Sequence, residues 1–413
     1  MKILFVCQYF YPETFRGNDI AFHLAEEGHD VHVVTGIPNY PKGKFFPGYG
    51  VFKKRHEEIN GVKVTHLPIV PRGNNKIMLM LNYFSYLIVG CIWMFFHALW
   101  HKYDMVFCQQ LSPVTMSSPA VLYKKIRRVP LYTWVLDLWP ESLTAAGGIN
   151  NKYILGLFDW FVKSEYKNSD KMLTSSRSFD KSILKYGDYR DKIIYYPQWS
   201  DGSGANTNNT NLTNILKEKG FNEAEIFDEK NFYVMFAGAV GEAHGMECNM
   251  KAALKTKEHT NIKWVIVGDG RRLDWVRSFV KDNGLEETVI TLGRFPSETM
   301  PMFFEKADVM LVSLTDSPLF NMYSPAKIAS YMAAERPIIA VLNGEGEEVI
   351  KAAECGWNVK AGDSDGLAEL VIKLSMTDKQ ELHDKGHKGK EYYDNFFTKE
   401  KCLKKLDEIM CLQ

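Results

Sequence analysis

The sequence predicts an α/β protein with two domains, each built on a doubly wound parallel sheet. Short apolar stretches alternate with stretches of helical periodicity, which is the pattern of parallel strands joined by crossover helices. The chain has 413 residues, more than one core usually holds. The polar stretch Asp201–Asn214 separates two such alternations, so we predict a linker or a loop at a domain boundary there.

The first alternation predicts an N-terminal Rossmann-like domain over residues 1–198. A helix is predicted from about Asn18 to Glu27, and Met1–Cys7 is interpreted as a buried strand because its apolar run is too short for a signal peptide. The predicted strands are Ile3–Val6, Val31–Thr35, Val62–Leu67, Met105–Cys108, Leu131–Leu136, Met172–Thr174 and Ile193–Tyr196.

The second alternation predicts a C-terminal Rossmann-like domain over residues 199–391. Residues 392–413, with a helix from about Lys399, are expected to pack back on the first domain. Ligands of open α/β sheets bind beyond the carboxyl ends of the strands, so two facing sheets would place a site in the cleft between them. The predicted strands are Tyr233–Ala237, Lys263–Val267, Val289–Leu292, Val309–Ser313 and the stretch IIAVL after Pro337.

Charge and cysteine content argue against some functions. Lys and Arg total 50, as do Asp and Glu, which argues against a dedicated nucleic-acid-binding protein. Seven cysteines lack CxxC pairing, which fits a reducing compartment and no structural zinc. Asp363-Ser364-Asp365 matches a metal-binding DxD pattern, but we interpret Asp365 as a helix cap and predict no metal site.

Residues 77–100 form a long apolar stretch with no charged residue. Its length would suffice to cross a bilayer, but strands of one predicted sheet lie on both sides of it in sequence. We favour a helix that packs one face on its domain and inserts the other into a membrane interface, with Tyr83, Trp93 and Trp100 as anchors. A fully buried core helix and a membrane span are the alternatives.

The segment Asn321–Pro337, NMYSPAKIASYMAAERP, is the main candidate for binding chemistry. Ser324 is a good helix N-cap and Pro325 suits the first helical position. The positive end of such a helix binds anions, and Lys327 adds a cation in its first turn. This combination favours diphosphate binding, while a capped helix with a surface lysine is the alternative.

Three glycine-rich loops follow strands of the second alternation. They are Gly238–Gly245, Gly268–Gly270 and Gly293–Phe295. Glycine permits the close backbone approach that nucleotide and phosphate binding require, although turns between strands and helices commonly use glycine in any case. No GxGxxG follows the first strand, which argues against a dinucleotide site.

Five segments of the second alternation carry a resemblance to a known family: FAGAVG, VGDGRR, LGRFPSETMPMFFEKADVMLVSL, SPAKIASYMAAERPIIAV and CGWNVKAGDSDGLAEL. They are similar to the C-terminal domain of family 4 of the glycosyltransferases, retaining enzymes that have the GT-B fold and use nucleotide sugars. QYFYPE and DLWPES resemble the subgroup of bacterial N-acetyl-L-fucosamine transferases of surface polysaccharide biosynthesis. The resemblance covers nearly the whole chain.

The resemblance implies a donor-binding set. Gly268 and the backbone around Arg294–Phe295 would hold the uracil, and Gly17 would let its loop approach the donor phosphates or sugar. The implied donor-binding residues are Gly17, Gly238, Gly268, Arg271, Arg294, Phe295, Ser324, Ala326, Lys327 and Ser330.

The resemblance also implies where the chemistry occurs. Ser324, Ala326 and Lys327 would contact the diphosphate, in agreement with the helix-terminus argument. Asp137 matches the position of a residue close to the reacting sugar, where it could accept the acceptor proton or support positive charge on the sugar. A cap of the turn that begins at Leu138 is the alternative role for Asp137.

The chain departs from the family pattern at several positions. Met322 and Ser330 stand where the family usually has two glutamates, and Ser330 would offer the ribose only a weaker hydroxyl contact. Glu242 and His244 occupy the loop that usually carries a basic residue. These departures place more of the phosphate neutralisation on Lys327, with Arg271 or Arg272 as further candidates.

The expected function is a metal-independent glycosyltransferase with no cofactor besides its donor substrate. It would move a sugar from a UDP-sugar to a polyprenyl-diphosphate-linked oligosaccharide in O-antigen or capsule biosynthesis. Its expected location is the cytoplasm, at the inner face of the membrane. A UDP-sugar epimerase of the same fold and an inactive glycosyltransferase-like partner subunit are the alternatives.

Overall fold

The computed structural model describes residues 1–145, 148–200 and 211–411. The chain divides into two compact units, residues 1–197 and 198–413. Each unit carries one largely parallel sheet with helices between its strands.

The first unit contains an eight-stranded sheet in the order β3-β4-β2-β1-β5-β6-β7-β8. All neighbours are parallel except β3 and β4, which are antiparallel. The strands are β1 (Lys2–Val6), β2 (Asp30–Gly36), β3 (His56–Ile59), β4 (Val62–Leu67), β5 (Met105–Gln110), β6 (Leu131–Val135), β7 (Lys171–Thr174) and β8 (Ile193–Tyr195).

The predicted strands of this unit are confirmed, with ends shifted by at most two residues. Strand β3 was not predicted because its sequence HEEI has no apolar run. It lies at the sheet edge, where only one side needs a partner, and polar residues are tolerated there. The helices are α1 (Arg16–Glu26), α2 (Lys76–Trp100), α3 (Ser118–Arg127), α4 (Glu141–Ala145), α5 (Lys152–Asn168) and α6 (Asp180–Ile183).

Helix α2 packs one face on its unit and exposes the other. Every fourth residue from Asn82 to Ala98 is buried, while large apolar side chains elsewhere on the helix are exposed, including Trp100 at 82%. Among the described residues, α2 is the helix long and apolar enough to cross a membrane by length and composition. The alternative of a fully buried core helix is therefore wrong. Strands β4 and β5, which precede and follow α2 in sequence, lie in the same sheet.

Helix α5 exposes a second apolar surface, which the sequence analysis did not predict. Tyr153, Leu157 and Trp160 are exposed, Trp160 at 61%. Helix α3 packs against both α2 and α5. The three helices border a groove of about 290 Å³, lined by Leu87, Cys91, Ser117, Ser118, Val121, Leu122, Lys125, Trp160, Phe161 and Ser164.

The second unit contains a six-stranded parallel sheet in the order β11-β10-β9-β12-β13-β14. Apolar clusters cover both of its faces. The predicted strands are confirmed, while the edge strand β14 was missed because it buries only one of its residues, Val359. The strands are β9 (Phe232–Ala237), β10 (Ile262–Val267), β11 (Val289–Gly293), β12 (Val309–Ser313), β13 (Ile338–Val341) and β14 (Gly356–Val359).

The helices of the second unit correct two boundaries. Residues 212–214 of the predicted linker belong to a helix capped by Asn211, and residues 201–210 lie outside the described residues. Residue 392, where the C-terminal segment was predicted to begin, lies inside a continuous helix; the packing of residues 392–413 on the first unit stays a prediction. The helices are α7 (Leu212–Glu218), α8 (Glu223–Ile226), α9 (Met246–Lys255), α10 (Leu273–Asp282), α11 (Met300–Phe304), α12 (Ala326–Ala333), α13 (Glu345–Ala353), α14 (Ser364–Ser375), α15 (Lys379–Phe396) and α16 (Lys399–Cys411).

Candidate functional site

The strand order of the second sheet locates a crevice at the carboxyl ends of β9 and β12. From β9 the chain continues to β10 on one side, whereas β12 and β13 lie on the other side. The loops that follow β9 and β12 therefore run in opposite directions. Ligands of open α/β sheets bind at this kind of switch point, and the helix that follows β12 is α12.

Helix α12 begins one residue later than predicted. Ile328 N donates to Pro325 O at 3.0 Å, and Pro325 has an extended backbone and occupies the N-cap position. The prediction that Ser324 is the N-cap is therefore wrong, because the extended backbone of Pro325 keeps that residue out of the helix and makes it the N-cap. The first-turn amides of α12 still lack partners within the helix and make its N-terminus an anion-binding end.

Lys327 is not a surface lysine, so that alternative is wrong. Its Nζ is buried, and none of the described residues offers it a hydrogen-bond partner. The nitrogen lies 3.6 Å from the centre of the Phe236 ring. A Cβ atom on Gly238 would come within 2.6 Å of Lys327 Cε, so glycine at 238 leaves the space that the lysine occupies.

The electrostatics of this lysine favour an anionic ligand. Burial lowers the pKa of the Lys327 ammonium to about 7. Nearby His244 has its pKa lowered to about 4, first by burial and then by the Lys327 charge, so its ring is neutral at pH 7. A buried cation without a carboxylate partner is costly, and an anion placed beside it would offset that cost.

The glycines of the neighbouring loops serve backbone packing. A Cβ on Gly268 would overlap the carbonyl oxygen of Gly238, and one on Gly270 would overlap that of Val240. The loops are also joined by Gly238 N–Val267 O and Val240 N–Asp269 O hydrogen bonds of 2.8 and 2.9 Å. Two adjacent strand ends therefore form one backbone surface beside α12.

The two arginines after β10 have different surroundings. Arg272 Nη2 lies 2.7 Å from Glu247 Oε1, and its Nε lies 3.7 Å from Glu242. Arg272 is therefore neutralised by its own unit. Arg271 is exposed at the end of the Gly268–Gly270 loop, so it is the better placed of the two to meet an anion.

The remaining donor-site candidates of this unit have partners within the fold. The Arg294 carbonyl accepts a hydrogen bond from Lys219 Nζ. The Phe295 side chain is buried in the core, so only its backbone could face a base. Ser330 Oγ lies 3.1 Å from Ser200 Oγ. The roles of Arg294, Phe295 and Ser330 in donor binding stay predictions.

Two candidates lie at the carboxyl edge of the first sheet. A Cβ on Gly17 would overlap the side-chain oxygen of Gln109, so a larger residue there would require the Gln109 side chain to shift. Asp137 follows β6, and its carboxylate accepts hydrogen bonds from Ser142 Oγ and, at 3.1 Å, from Trp139 Nε1. These bonds orient Asp137 and also make it the cap of the following turn, so its catalytic role stays a prediction.

The sequence analysis missed buried polar groups near this edge. Glu13 Oε1 accepts hydrogen bonds from Asn39 N and Tyr40 N at 2.7 and 2.6 Å, and burial raises the pKa of Glu13 to about 7. Arg72, in the segment before α2, donates hydrogen bonds to the hydroxyls of Tyr9 and Tyr83. Neither residue belongs to a periodic pattern, and most of their partners are distant in sequence. The motif QYFYPE, which contains Glu13, was the available signal.

The helix cap predicted at Asp365 is wrong. Asp363, not Asp365, caps α14, because its Oδ1 accepts from Gly366 N at 2.8 Å. Asp365 instead pairs with Lys255. Across the described parts of the chain, no three His, Cys, Asp or Glu side chains are grouped closely enough to hold a metal ion.

Comparison with known proteins finds a family match inside the second unit. Residues 231–376, which carry the switch-point crevice and Lys327, match the family Glycosyl transferases group 1. The match and the curated relatives support a glycosyltransferase of this group. The narrower N-acetyl-L-fucosamine subgroup has no such support.

Two curated relatives are similar over part of their length. WbjE of Pseudomonas aeruginosa, named as a glycosyltransferase, is 25% identical over 285 residues, which cover 64% of this chain and 66% of WbjE. WcaI of Escherichia coli K12, named as a glycosyl transferase of colanic acid biosynthesis, is 23% identical over 298 residues and 70% of each chain. The chain thus spans about two thirds of the length of these relatives.

Solved structures confirm the GT-B class of the fold. Anabaena HepE, in its complex with UDP-glucose, matches with a TM-score of 0.69 at 14% identity over 100% of both chains. At this identity the likeness shows the fold alone. Two parallel-sheet α/β domains of the GT-B type are what the sequence analysis predicted.

Proposed function

We propose that this protein is a retaining glycosyltransferase that moves a sugar from a UDP-sugar to a lipid-linked oligosaccharide in bacterial surface polysaccharide biosynthesis. The observation that carries the proposal is the buried, unpaired Nζ of Lys327 at the start of α12. The relatives named for polysaccharide assembly support the biological setting. N-acetyl-L-fucosamine is the candidate sugar by family resemblance.

The donor argument starts from the leaving group. Departure of UDP from the sugar develops negative charge on the diphosphate, and a preorganised cation with a helix N-terminus stabilises that charge. Lys327 and the first-turn amides of α12 supply both. HepE was solved with UDP and with UDP-glucose, which supports a uridine nucleotide as the donor.

The acceptor argument starts from the exposed apolar faces of α2 and α5. Exposed apolar residues on adjacent helices indicate an interaction surface, and exposed Trp100 and Trp160 suit a membrane–water interface. Lys125 lines the groove between these helices, where its ammonium could meet an anionic headgroup. A peripheral position at the inner face of the membrane would bring the unit to an acceptor carried on a polyprenyl diphosphate.

The proposed chemistry requires no metal or further cofactor. The acceptor hydroxyl would attack the sugar on the face from which UDP leaves, as the family's retaining outcome implies. Asp137, oriented by Ser142 and Trp139, is the candidate to accept the hydroxyl proton or to support positive charge on the sugar.

Calorimetric titration of the full chain with UDP and, separately, GDP tests the donor site. We expect UDP to bind to the wild type and to weaken by about tenfold or more in Lys327→Met, since hydrogen bonds to charged groups contribute about 1.5–3 kcal/mol. Lys351→Met is the matched control, because Lys351 is an exposed lysine of the same unit whose partners are Glu347 and Glu348.

Transfer of a labelled sugar to lipid extracts then separates the alternatives. Absence of UDP and GDP binding at millimolar concentration would contradict the donor site and favour the inactive partner subunit. Binding of UDP with interconversion of free UDP-sugars, but no transfer to lipid, would favour the epimerase.

A further inference from the structure

Arg72 lies at the carboxyl edge of the first sheet, in the segment that joins β4 to α2. Its Nη1 donates to Tyr9 Oη at 3.0 Å and to Tyr83 Oη at 3.3 Å. Its backbone N donates to Asn39 Oδ1 at 2.8 Å, and its guanidinium lies 5.4 Å from the centre of the Tyr40 ring. The side chain is therefore held in one place from several sides.

The positive charge of Arg72 lacks a carboxylate partner. Within residues 1–145, 148–200 and 211–411, no acidic side chain lies within ion-pair distance of Arg72. Glu13 is near enough to interact through space, but its oxygens accept from the backbone amides of Phe10, Asn39 and Tyr40. Burial also raises the pKa of Glu13 to about 7, which weakens it as a counter-charge.

The groups around Arg72 suit a phosphate. Guanidinium groups bind phosphate oxygens through paired N–H donors, and only Nη1 of Arg72 is used by the tyrosines. Tyr9 and Tyr83 also hydrogen-bond to each other, so one of their two O–H groups remains to donate. A partly buried cation and a phenol donor thus lie side by side with no acidic group between them.

The position of this cluster indicates which phosphate it would bind. Tyr83 belongs to α2, whose neighbouring residues Met80, Leu81 and Phe84 are exposed and apolar. Burial raises the pKa of Tyr83, and the charge of Asp137 adds to that increase. The cluster therefore adjoins an exposed apolar surface of α2, and the charge of Asp137 acts on its Tyr83 hydroxyl.

We propose that Arg72, Tyr9 and Tyr83 form the binding site for the phosphate groups of a lipid-linked acceptor. This inference rests on the proposed function and names the subsite at which that acceptor is held. The ligand class is a phosphate or diphosphate joined to a hydrocarbon chain. The chain would lie along α2, while the phosphate meets the guanidinium and the phenol.

Binding of farnesyl diphosphate to the full chain in a mild detergent tests the site. We expect Arg72→Ala to weaken binding by about tenfold or more and Arg72→Lys to weaken it less, because lysine keeps the charge but loses the fork. Tyr83→Phe, which removes only a hydroxyl, should weaken it by a few-fold. Arg190→Ala is the matched control, because Arg190 is exposed, pairs with Asp188 and precedes β8 at the opposite edge of the sheet.

Farnesol and inorganic diphosphate distinguish the sources of binding. Farnesol should bind equally to the wild type and Arg72→Ala, and inorganic diphosphate should compete poorly with farnesyl diphosphate. Inorganic diphosphate that bound as tightly as farnesyl diphosphate would overturn the lipid assignment. Unchanged binding in both Arg72→Ala and Tyr83→Phe would overturn the site itself.

UDP titration of the same variants separates this inference from the proposed function. Arg72→Ala should bind UDP as the wild type does, because Lys327 and the N-terminus of α12, which are proposed to bind the diphosphate, belong to the other unit. If the wild type does not bind UDP, only the donor proposal is contradicted. The farnesyl diphosphate result decides the Arg72 site whether or not UDP binds.

Discussion

Phe236 and Lys327 meet across the switch point of the second sheet, with the ammonium nitrogen 3.6 Å from the centre of the ring. Phe236 is the penultimate residue of β9 and Lys327 is the second residue of α12, so the contact links the end of β9 to the helix that follows β12. The ring face attracts the cation but leaves its charge unneutralised. The contact with Phe236 therefore positions the Lys327 ammonium but leaves its charge available to bind an anion.

The affinity for UDP should decline as pH rises above 7. Burial lowers the pKa of the Lys327 ammonium to about 7 in the free protein, and the protonated form is the one that binds the diphosphate. The affinity for UDP is then greatest below pH 7 and falls as the pH rises above 7. It stops falling once the pH exceeds the pKa of Lys327 in the UDP complex. Calorimetry at pH 6, 7, 8 and 9 measures this decline, and Lys327→Met gives the baseline that reports ionisation of UDP itself.

The same lysine should reduce the stability of the free protein at low pH. Its pKa is below the ordinary value near 10.4, so the unfolded chain binds more protons than the native chain between about pH 7 and 10. The cost of burying the charge is full below pH 7 and is relieved as pH rises. Lys327→Met should therefore raise Tm at pH 6, by about 2–4 °C per kcal/mol gained, and the gain should shrink by pH 9. A lower Tm at pH 6 would contradict an unpaired buried ammonium.

Gly268→Ala should destabilise the second unit. A Cβ at this position overlaps the carbonyl oxygen of Gly238, and overpacking against backbone costs about 1–3 kcal/mol or more. Denaturant unfolding measures the loss. Gly156→Ala is the control, because Gly156 lies inside helix α5 with no atom within 4 Å of the added Cβ, and alanine there should stabilise by about 0.5–1 kcal/mol. Equal stability of the two variants would mean that the loops at 238 and 268 separate easily.

Much of the fold followed from local pattern, whereas the surroundings of the site residues did not. Val62–Leu67 was predicted with its exact bounds because six residues of a buried strand carry their own signal. The burial of Lys327 depends on Phe236 and on the space left at Gly238, which are about 90 residues away in sequence. Helix α5 was missed because its apolar residues are partly exposed and its amphipathic pattern is mixed with charged residues.

Membrane binding should depend on both apolar helices. Ile92→Glu on α2 and Trp160→Glu on α5 each remove an exposed apolar side chain, whose burial in lipid contributes about 1.5–3 kcal/mol. Each should reduce co-sedimentation with anionic vesicles by about tenfold in partition coefficient. Met376→Glu, which alters an exposed apolar residue of the second unit, should leave it unchanged. Loss only in Ile92→Glu would restrict the membrane surface to α2.

Asp137→Asn should lower sugar transfer while leaving UDP binding intact. The amide keeps a carbonyl oxygen to accept from Ser142 or Trp139, but it cannot take a proton, and general acid–base catalysis contributes about 10²–10⁴-fold. A turn cap alone predicts a different result, in which Asp137→Asn and Ser142→Ala lower stability by similar amounts and reduce transfer only modestly. Single-turnover transfer together with Tm for both variants decides between the two roles. Glu141→Gln is the control, because Glu141 is the neighbouring acid and bonds to Ser182 and Lys185 instead; it should retain transfer if Asp137 is the catalytic carboxylate.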